Sequence, residues 1–152
     1  MPSKITGTLI YTSVCPAKKV IGKLAGSALM KDPVHALSLL ETIVKSTSLP
    51  VTLKMRLGWD NESINAPMIA KSAENAGVQM ITVHARTRNQ FFKGEPNWRL
   101  VQRVKDSVSI PVIVNGDIKD EHSAREAINL SSADGIMIGR AAMGKPWLIE
   151  DL

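Results

Sequence analysis

The sequence contains a single cysteine, Cys15, so no internal disulfide can stabilise the fold. No apolar run approaches the roughly 18 residues that a transmembrane helix requires. The N-terminus also lacks the apolar core of a secretory signal peptide. These three absences together predict a cytoplasmic protein without a membrane span.

The composition is that of an ordinary globular domain. A length of 152 residues suits one domain, and 44% hydrophobic residues with a mean hydropathy of zero argue against a disordered chain. The formal net charge of +5 favours an anionic partner, such as a phosphorylated cofactor or a nucleic acid. A charge of this size also occurs on domains that bind neither, so composition alone leaves both possibilities open.

Short apolar runs alternate with helical patterns along the chain. Each run is nearly continuous in apolar residues, as expected for parallel strands that are covered on both faces. Successive runs begin 24 to 31 residues apart, which is the length of one βα unit. The pattern therefore predicts an α/β fold with strands at residues 50–57, 80–84, 111–115 and 135–138.

Helix signals lie between these runs. Asp32-Pro33 combines a capping residue with a proline at the first helical position, and an apolar stripe of helical spacing follows it. A second helix is expected to end at Gly77, a third to begin near Asn97 and a fourth to begin after Asp120.

Polar residues occur in the second half of the predicted strands or directly after them. Lys54, His84, Asn115 and the Gly139-Arg140 pair all hold such positions. A parallel sheet would bring them to one carboxyl edge, where β/α folds bind ligands. Because no Gly-x-Gly-x-x-Gly motif follows a first strand, we favour part of a TIM barrel over a dinucleotide-binding Rossmann sheet.

Each of these residues also has a purely structural interpretation. Lys54 can extend its ammonium group to the barrel mouth without a further role, and His84 can be a hydrogen-bonded structural histidine. Asn115-Gly116-Asp117 can be a strand-ending turn, and Gly139-Arg140 a simple βα loop. Two glycine-containing loops at neighbouring strand ends also form the phosphate site of many TIM barrels, so the combination favours a binding site.

Five ordered motifs carry a resemblance to a known family. Together they closely resemble bacterial tRNA-dihydrouridine synthases, in the branch once named as nitrogen-regulation proteins, almost without a gap from Cys15 to Leu152. The motifs are CPAKKV with GSAL (residues 15–20 and 26–29), VTLKMRLGW (51–59), TVHARTR (82–88), PVIVNGDI (111–118) and IMIGRA (136–141).

The resemblance implies an FMN-dependent oxidoreductase that reduces the C5–C6 double bond of uridines in tRNA with electrons from NADPH. Cys15 corresponds to the general acid that protonates one carbon of the base. A thiol suits this role because its ordinary pKa of about 8.5 leaves it mostly protonated near neutral pH.

The resemblance also implies roles for the polar residues at the strand ends. Lys54 corresponds to a lysine at the flavin ring edge, and His84 to a flavin-contacting histidine. The phosphate-binding loops correspond to Asn115, Gly116, Asp117, Gly139 and Arg140. Arg86 and Arg88 correspond to residues that face the substrate, and Lys18 and Lys19 are expected as further basic residues that face the RNA. No metal ligand is implied.

The chain departs from the family near its N-terminus. Thr12 and Val14 occupy positions where the family has Asn and Gly beside the cysteine. We therefore expect residues 1–14 to be a divergent segment, and residues 15–152 to be a partial FMN-binding barrel with about the last four or five of eight βα units. The N-terminal barrel strands and the C-terminal helical tRNA-binding domain are expected to be absent. Open sheet edges would then favour self-association. Because the ring side of the site lacks the N-terminal segment, we also expect the chain alone to bind FMN weakly or not at all.

Two other functions remain open at this point. The chain can be a remnant without catalysis that binds nucleic acid by charge, through Lys18, Lys19, Lys23, Arg86 and Arg88. It can also be a different TIM-barrel flavin oxidoreductase, of the dihydroorotate or glutamate type, because phosphate loops are shared among these folds. The CPAKKV and HARTR segments argue against this last possibility.

Overall fold

A computed structural model describes residues 9–12 and 26–150 of the chain. Short strands alternate with helices in this part. The 3-10 turns are Gly26–Lys31, Arg140–Ala142 and Pro146–Ile149. The main elements are β1 (Leu9–Thr12), α1 (Pro33–Ser46), β2 (Val51–Arg56), α2 (Ala66–Asn75), β3 (Met80–His84), α3 (Trp98–Lys105), β4 (Val112–Asn115), α4 (Glu121–Ser131) and β5 (Gly135–Met137).

The five strands form one parallel sheet in the order β1-β2-β3-β4-β5. Each strand therefore pairs with the next strand in the chain, and the order never reverses. A doubly wound sheet has a reversal point, whereas consecutive order is the order of a β/α barrel. The α/β prediction is confirmed, and the sheet is consistent with part of a barrel.

The helices begin where the sequence predicts them. The side chain of Asp32 accepts a hydrogen bond from the backbone N–H of His35 at 3.0 Å and so caps α1. Asn97 caps α3 by accepting from Leu100, and Asp120 caps α4. Each cap satisfies a backbone donor that the first helical turn leaves without a partner.

One face of the sheet, called here the covered face, packs against the helices. In β2, β3 and β4 its side chains are all apolar, because successive residues of a strand point to opposite faces and every second residue here is apolar. They share one apolar cluster with buried residues from all four helices. The covered face consists of Val51, Leu53, Met55, Ile81, Val83, Val112 and Val114, none more than 2% exposed.

The opposite face, called here the polar face, carries most of the hydrophilic strand residues. The register aligns Arg56 with His84, His84 with Asn115, and Asn115 with Met137 in a row at the carboxyl end. One step below that row, Lys54 is aligned with Thr82. The alternation within each strand thus separates an apolar core from a polar surface that faces a cavity.

In the described part of the chain, none of the helices combines the length and apolarity that crossing a bilayer requires. Within the same residues, no group of three or more His, Cys, Asp and Glu side chains is arranged to hold a metal ion.

Candidate active site

A cavity of about 680 Å³ lies at the carboxyl ends of β2 to β5. This volume is within the range of about 300 to 1,000 Å³ that is typical of small-molecule and cofactor sites. Apolar side chains form much of its wall, among them Phe92, Ile118, Met137 and Ile138. Four cationic side chains also line it, namely Lys54, Arg56, Lys119 and Arg140. The combination suits a ligand that has both an apolar part and an anionic part.

All seven residues that the sequence assigns to cofactor binding line this cavity. They come from three strands, β2, β3 and β4, and from the loops after β4 and β5, so the sheet brings together residues far apart in the chain. Their individual roles remain predictions. The seven are Lys54, His84, Asn115, Gly116, Asp117, Gly139 and Arg140.

Lys54 lies half-buried on the polar face. Its Nζ donates a hydrogen bond to Asn115 Oδ1 at 3.2 Å, and Asn115 Nδ2 donates to the carbonyl oxygen of Met137 at 2.7 Å. Burial, followed by repulsion from Arg56, lowers the pKa of Lys54 from 10.5 to about 8. A ligand anion in the cavity would favour the charged ammonium form and raise this pKa again.

His84 ends β3 and is 7% exposed. Burial lowers its pKa to about 3, with repulsion from Arg56, Lys54 and Arg86 as the next causes. The imidazole is therefore neutral at physiological pH, when it can donate from one ring nitrogen and accept at the other.

The loop after β4 has two consecutive residues with positive φ angles, a backbone conformation that few residue types adopt. Gly116 has a φ of +128°, and a Cβ atom there would lie 3.1 Å from His84 Cδ2 and 3.2 Å from Pro96 Cβ. Asp117 follows with a φ of +51°, a left-handed conformation that Asp tolerates better than most residues. The indole Nε1 of Trp98 donates to the Gly116 carbonyl oxygen at 3.0 Å. The loop is thus held tightly against His84.

Asp117 joins two arginines at the edge of the cavity. Its Oδ2 accepts from Arg86 Nη2 at 2.5 Å, and its Oδ1 accepts from Arg140 Nη2 at 2.9 Å. The hydrogen bond from Arg86 is the largest cause of a lowered pKa at Asp117, so this carboxyl group is ionised at neutral pH.

The loop after β5 leaves space beside its backbone. A Cβ atom at Gly139 would meet nothing within 4 Å, so a ligand can approach the backbone closely there. Arg140 begins the next 3-10 turn, and its guanidinium carbon lies 4.9 Å from the centre of the Phe92 ring.

The two arginines predicted to face the RNA lie in different environments. Arg86 is 1% exposed, and its guanidinium donates to the Lys93 and Gly94 carbonyl oxygens as well as to Asp117. This differs from the expectation of a substrate contact, because the buried group faces protein acceptors instead of solvent. Arg88 is half-buried, and its guanidinium carbon lies 4.6 Å from the Trp59 ring centre and 4.7 Å from that of Phe91.

Three predicted site residues, Cys15, Lys18 and Lys19, lie outside the described residues. The structure therefore gives neither their contacts nor their distance from the cavity. Their roles remain predictions based on the sequence.

Among the cavity-lining residues that sequence reasoning did not assign to the site are Arg56 and Phe92. Nη1 of Arg56 donates to the carbonyl oxygens of Thr87 and Phe91, both at 2.8 Å. A signal for Arg56 was present, because it is two residues after Lys54 in the same strand and must share its face. Phe92 is 52% exposed on the loop after β3, and no pattern in the sequence marks it.

Comparison with known proteins gives a consistent family. The family model described as dihydrouridine synthase matches residues 14–151. A probable tRNA-dihydrouridine synthase of Rickettsia conorii is 57% identical over 138 residues, which are 91% of this chain and 42% of the relative. tRNA-dihydrouridine synthase B of Yersinia pestis is 49% identical over 138 residues, which are 91% of this chain and 43% of the relative. The chain thus spans less than half the length of these relatives.

Solved structures match this chain only at low similarity. An N-acetylmannosamine-6-phosphate 2-epimerase from Clostridium perfringens has a TM-score of 0.48 at 15% identity, covering 76% of this chain and 48% of the other. A mandelate oxidase has a TM-score of 0.46 at 14% identity, covering 84% and 46%. Both scores are below 0.5, so neither likeness bears on the function of this chain.

Proposed function

The chain belongs to the dihydrouridine synthase family, and we propose that it carries the flavin-binding part of an enzyme that reduces uridine in tRNA. The proposed cofactor is FMN, the proposed electron donor is NADPH, and the reduced bond is C5–C6 of the base. Because the chain spans less than half the length of its relatives, the complete reaction is proposed for a protein that also has the relatives' flanking segments.

The cavity is the observation that supports this proposal most directly. Its apolar wall suits a planar ring system, and its arginines and lysines suit a phosphate group. The open space at Gly139 lets a phosphate approach backbone N–H groups at the start of the following turn. The residues present therefore fit FMN better than a ligand without a phosphate.

Different residues around the cavity would bind different parts of the cofactor. Lys54, already directed toward Asn115, would place its ammonium group near the ring edge. The backbone at Gly116 and Gly139, with the Arg140 guanidinium, would hold the phosphate. When bound, FMN supplies the hydride chemistry that no side chain of this chain can supply.

Cys15 is proposed as the proton donor to the base. Its thiol would be protonated at neutral pH, unless its surroundings change its pKa, and could then deliver a proton to one carbon of the uracil ring. The uridine must first leave the base stack to reach a cavity of this kind, as in other enzymes that act on a nucleobase.

Basic residues around the cavity are proposed to hold the RNA. Lys18, Lys19 and Arg88 are the candidates from the sequence, and contacts between such side chains and phosphates would make binding weaken with rising salt. Arg86 is not among the candidates we retain, because its guanidinium is buried against protein acceptors.

Cofactor binding by this chain can be tested with a pair of ligands. We expect the 152-residue chain to bind FMN at least about tenfold more tightly than riboflavin, since the phosphate adds charge-assisted hydrogen bonds. Fluorescence titration of both flavins measures the ratio. Arg140→Gln should reduce the ratio, whereas Arg125→Gln removes the same charge from an exposed position on α4 and should leave it unchanged. Equal affinity for the two flavins in the unaltered chain would contradict the proposed phosphate site.

The role of Cys15 requires the longer protein. In a chimera that adds the flanking segments of the Rickettsia conorii relative, Cys15→Ala should lower dihydrouridine formation by roughly 10²-fold or more, the scale of a lost general acid. NADPH oxidation and FMN content should stay nearly unchanged in the same variant. Parallel loss of flavin and activity would instead indicate that Cys15 supports the cofactor site.

A further inference from the structure

The buried guanidinium of Arg86 contacts both His84 and Asp117. Nη1 lies 3.5 Å from His84 Nε2, and Nη2 lies 2.5 Å from Asp117 Oδ2. The Nε and Nη2 groups also donate to carbonyl oxygens of the loop after β3, at Lys93 and Gly94. With an exposure of 1%, Arg86 has its position set by these partners.

The contact with His84 determines where the imidazole carries its proton. A guanidinium has five donors and no acceptor, so Nε2 of His84 must be the acceptor. In a neutral imidazole the remaining proton is then on Nδ1. His84 also lines the cavity, so the tautomer decides which ring nitrogen can donate to a ligand there.

The contact with Asp117 extends to Arg140, which lines the same cavity. Asp117 is in a left-handed backbone conformation, and its second carboxylate oxygen accepts from Arg140. Arg140 is largely exposed, with 62% of its side chain accessible, so its orientation depends on this one carboxylate and on Phe92. Arg86 thus acts on Arg140 through Asp117.

We propose that Arg86 is a positioning residue that fixes the Nδ1–H tautomer of His84 and, at the same time, the carboxylate of Asp117 that orients Arg140. Its importance for the cofactor rests on the proposed function, whereas the tautomer of His84 does not. The planar fork of arginine is essential to this role, because one lysine ammonium cannot reach both partners in fixed directions.

The tautomer can be measured with Arg86 intact, by ¹⁵N NMR of the imidazole side chains. The chain has three histidines, and His35→Gln with His122→Gln leaves His84 as the only signal. At pH 7 we expect a protonated Nδ1 and an unprotonated Nε2. A proton on Nε2 would overturn the proposal, and this result needs no substitution at Arg86.

Two variants then test the fork. Arg86→Lys keeps the charge and Arg86→Gln removes it, and in both we expect His84 to become a mixture of tautomers. Arg125→Gln serves as the matched control, because Arg125 lies on the outer surface of α4 with an ion pair to Glu121. If a folded Arg86 variant keeps the Nδ1–H tautomer, or if lysine alone preserves it, the positioning role is wrong.

FMN titration of the same variants separates this proposal from the proposed function. We expect Arg86→Lys and Arg86→Gln to weaken FMN by at least about tenfold relative to Arg125→Gln, the scale of one charge-assisted hydrogen bond. Unchanged FMN affinity would overturn the coupling to Arg140. If the unaltered chain binds no FMN, the cofactor proposal fails, and the NMR result still decides whether Arg86 sets the tautomer of His84.

Discussion

In β2, β3 and β4 the covered face and the polar face of the sheet differ in the chemistry of their side chains. On the covered face these side chains are apolar and at most 2% exposed, and they pack against the helices. On the polar face Lys54, Arg56 and His84 lie within one or two residues of those aliphatic positions and line a cavity. Neighbouring residues of a strand therefore belong alternately to the core and to the site.

The difference shows how stability and function are kept apart in this fold. Apolar burial on the covered face contributes roughly 25 cal/mol per Å² to the stability of the fold, and apolar groups need no hydrogen-bond partner. On the polar face each buried polar group needs a hydrogen-bond partner, because an unpaired group costs free energy. Arg56 has the carbonyl oxygens of Thr87 and Phe91, and Lys54 has Asn115. Substitutions should therefore have opposite consequences on the two faces.

The largest effect is expected from placing a charge on the covered face. Met55 is fully buried, so Met55→Lys should destabilise the chain by about 3 to 5 kcal/mol, the cost of an uncompensated buried charge. Urea unfolding measures this difference. Met55→Leu conserves volume and should cost less than about 1.5 kcal/mol. If both variants have similar stabilities, the covered face is not the dry core described above.

The next largest effect is expected where the polar face meets the loop after β4. Gly116→Ala combines a positive φ with crowding against His84 and Pro96, and should cost about 2 to 3 kcal/mol. Gly144 has a φ of +75° with nothing within 4 Å of a Cβ atom, so Gly144→Ala isolates the backbone cost of about 1 to 2 kcal/mol. Thermal unfolding of both variants gives the difference, and equal losses would mean that the contact with His84 is unimportant.

Replacing Lys54, which precedes Met55 in β2, should have a smaller effect than these substitutions. The effect should be on FMN binding and not on folding. Lys54→Met should weaken FMN by roughly ten- to a hundredfold, because a charged donor to the ligand is lost. The free energy of unfolding should change little, since replacing a partly buried ammonium group by an apolar side chain offsets the hydrogen bond to Asn115 that is lost. Titration and urea unfolding on the same sample test both statements, and a large loss of stability would contradict the division between the faces.

The smallest effect is expected from pH. With a pKa of about 8, Lys54 is mostly charged at pH 7 and mostly neutral above pH 9, so FMN affinity should fall severalfold across this range. Because the pKa in the folded chain is below its ordinary value of 10.5, the unfolded chain binds more protons between the two values. The stability of the unaltered chain should therefore rise with pH in that window, relative to Lys54→Met. Affinity that is independent of pH would place Lys54 away from the bound FMN.

Much of the fold could be predicted because its signals are local. The strands at 80–84 and 111–115 follow from short apolar runs, and the caps at Asp32, Asn97 and Asp120 follow from residue types that accept backbone hydrogen bonds. Val108 continues the apolar spacing of Val101 and Val104, but α3 ends at Lys105 and Val108 packs into the core from the following loop. Helix ends are set by tertiary contacts as well as by periodicity, which explains the difference.

The site was less predictable than the strands. The position of Lys54 and His84 near strand ends is visible in the sequence and places them at one edge of a parallel sheet. The pairing of Asp117 with Arg86 joins residues 31 positions apart, and no local pattern records it. The environment of Arg86 also differed from expectation for this reason, because residues 93, 94 and 117 surround it only after the loops have folded.

The sequence by itself determined the parallel α/β architecture, the family and the set of residues that gather at the carboxyl edge, because hydrophobic period, caps and motif spacing are local properties of the chain. Tertiary structure alone decided which of the basic residues face the cavity and which are enclosed by protein. Arg86 and Arg140 have the same side chain, yet one is 1% exposed and the other has 62% of its side chain accessible. Burial and hydrogen-bond partners arise from packing between distant segments, so a single residue type carries no information about either.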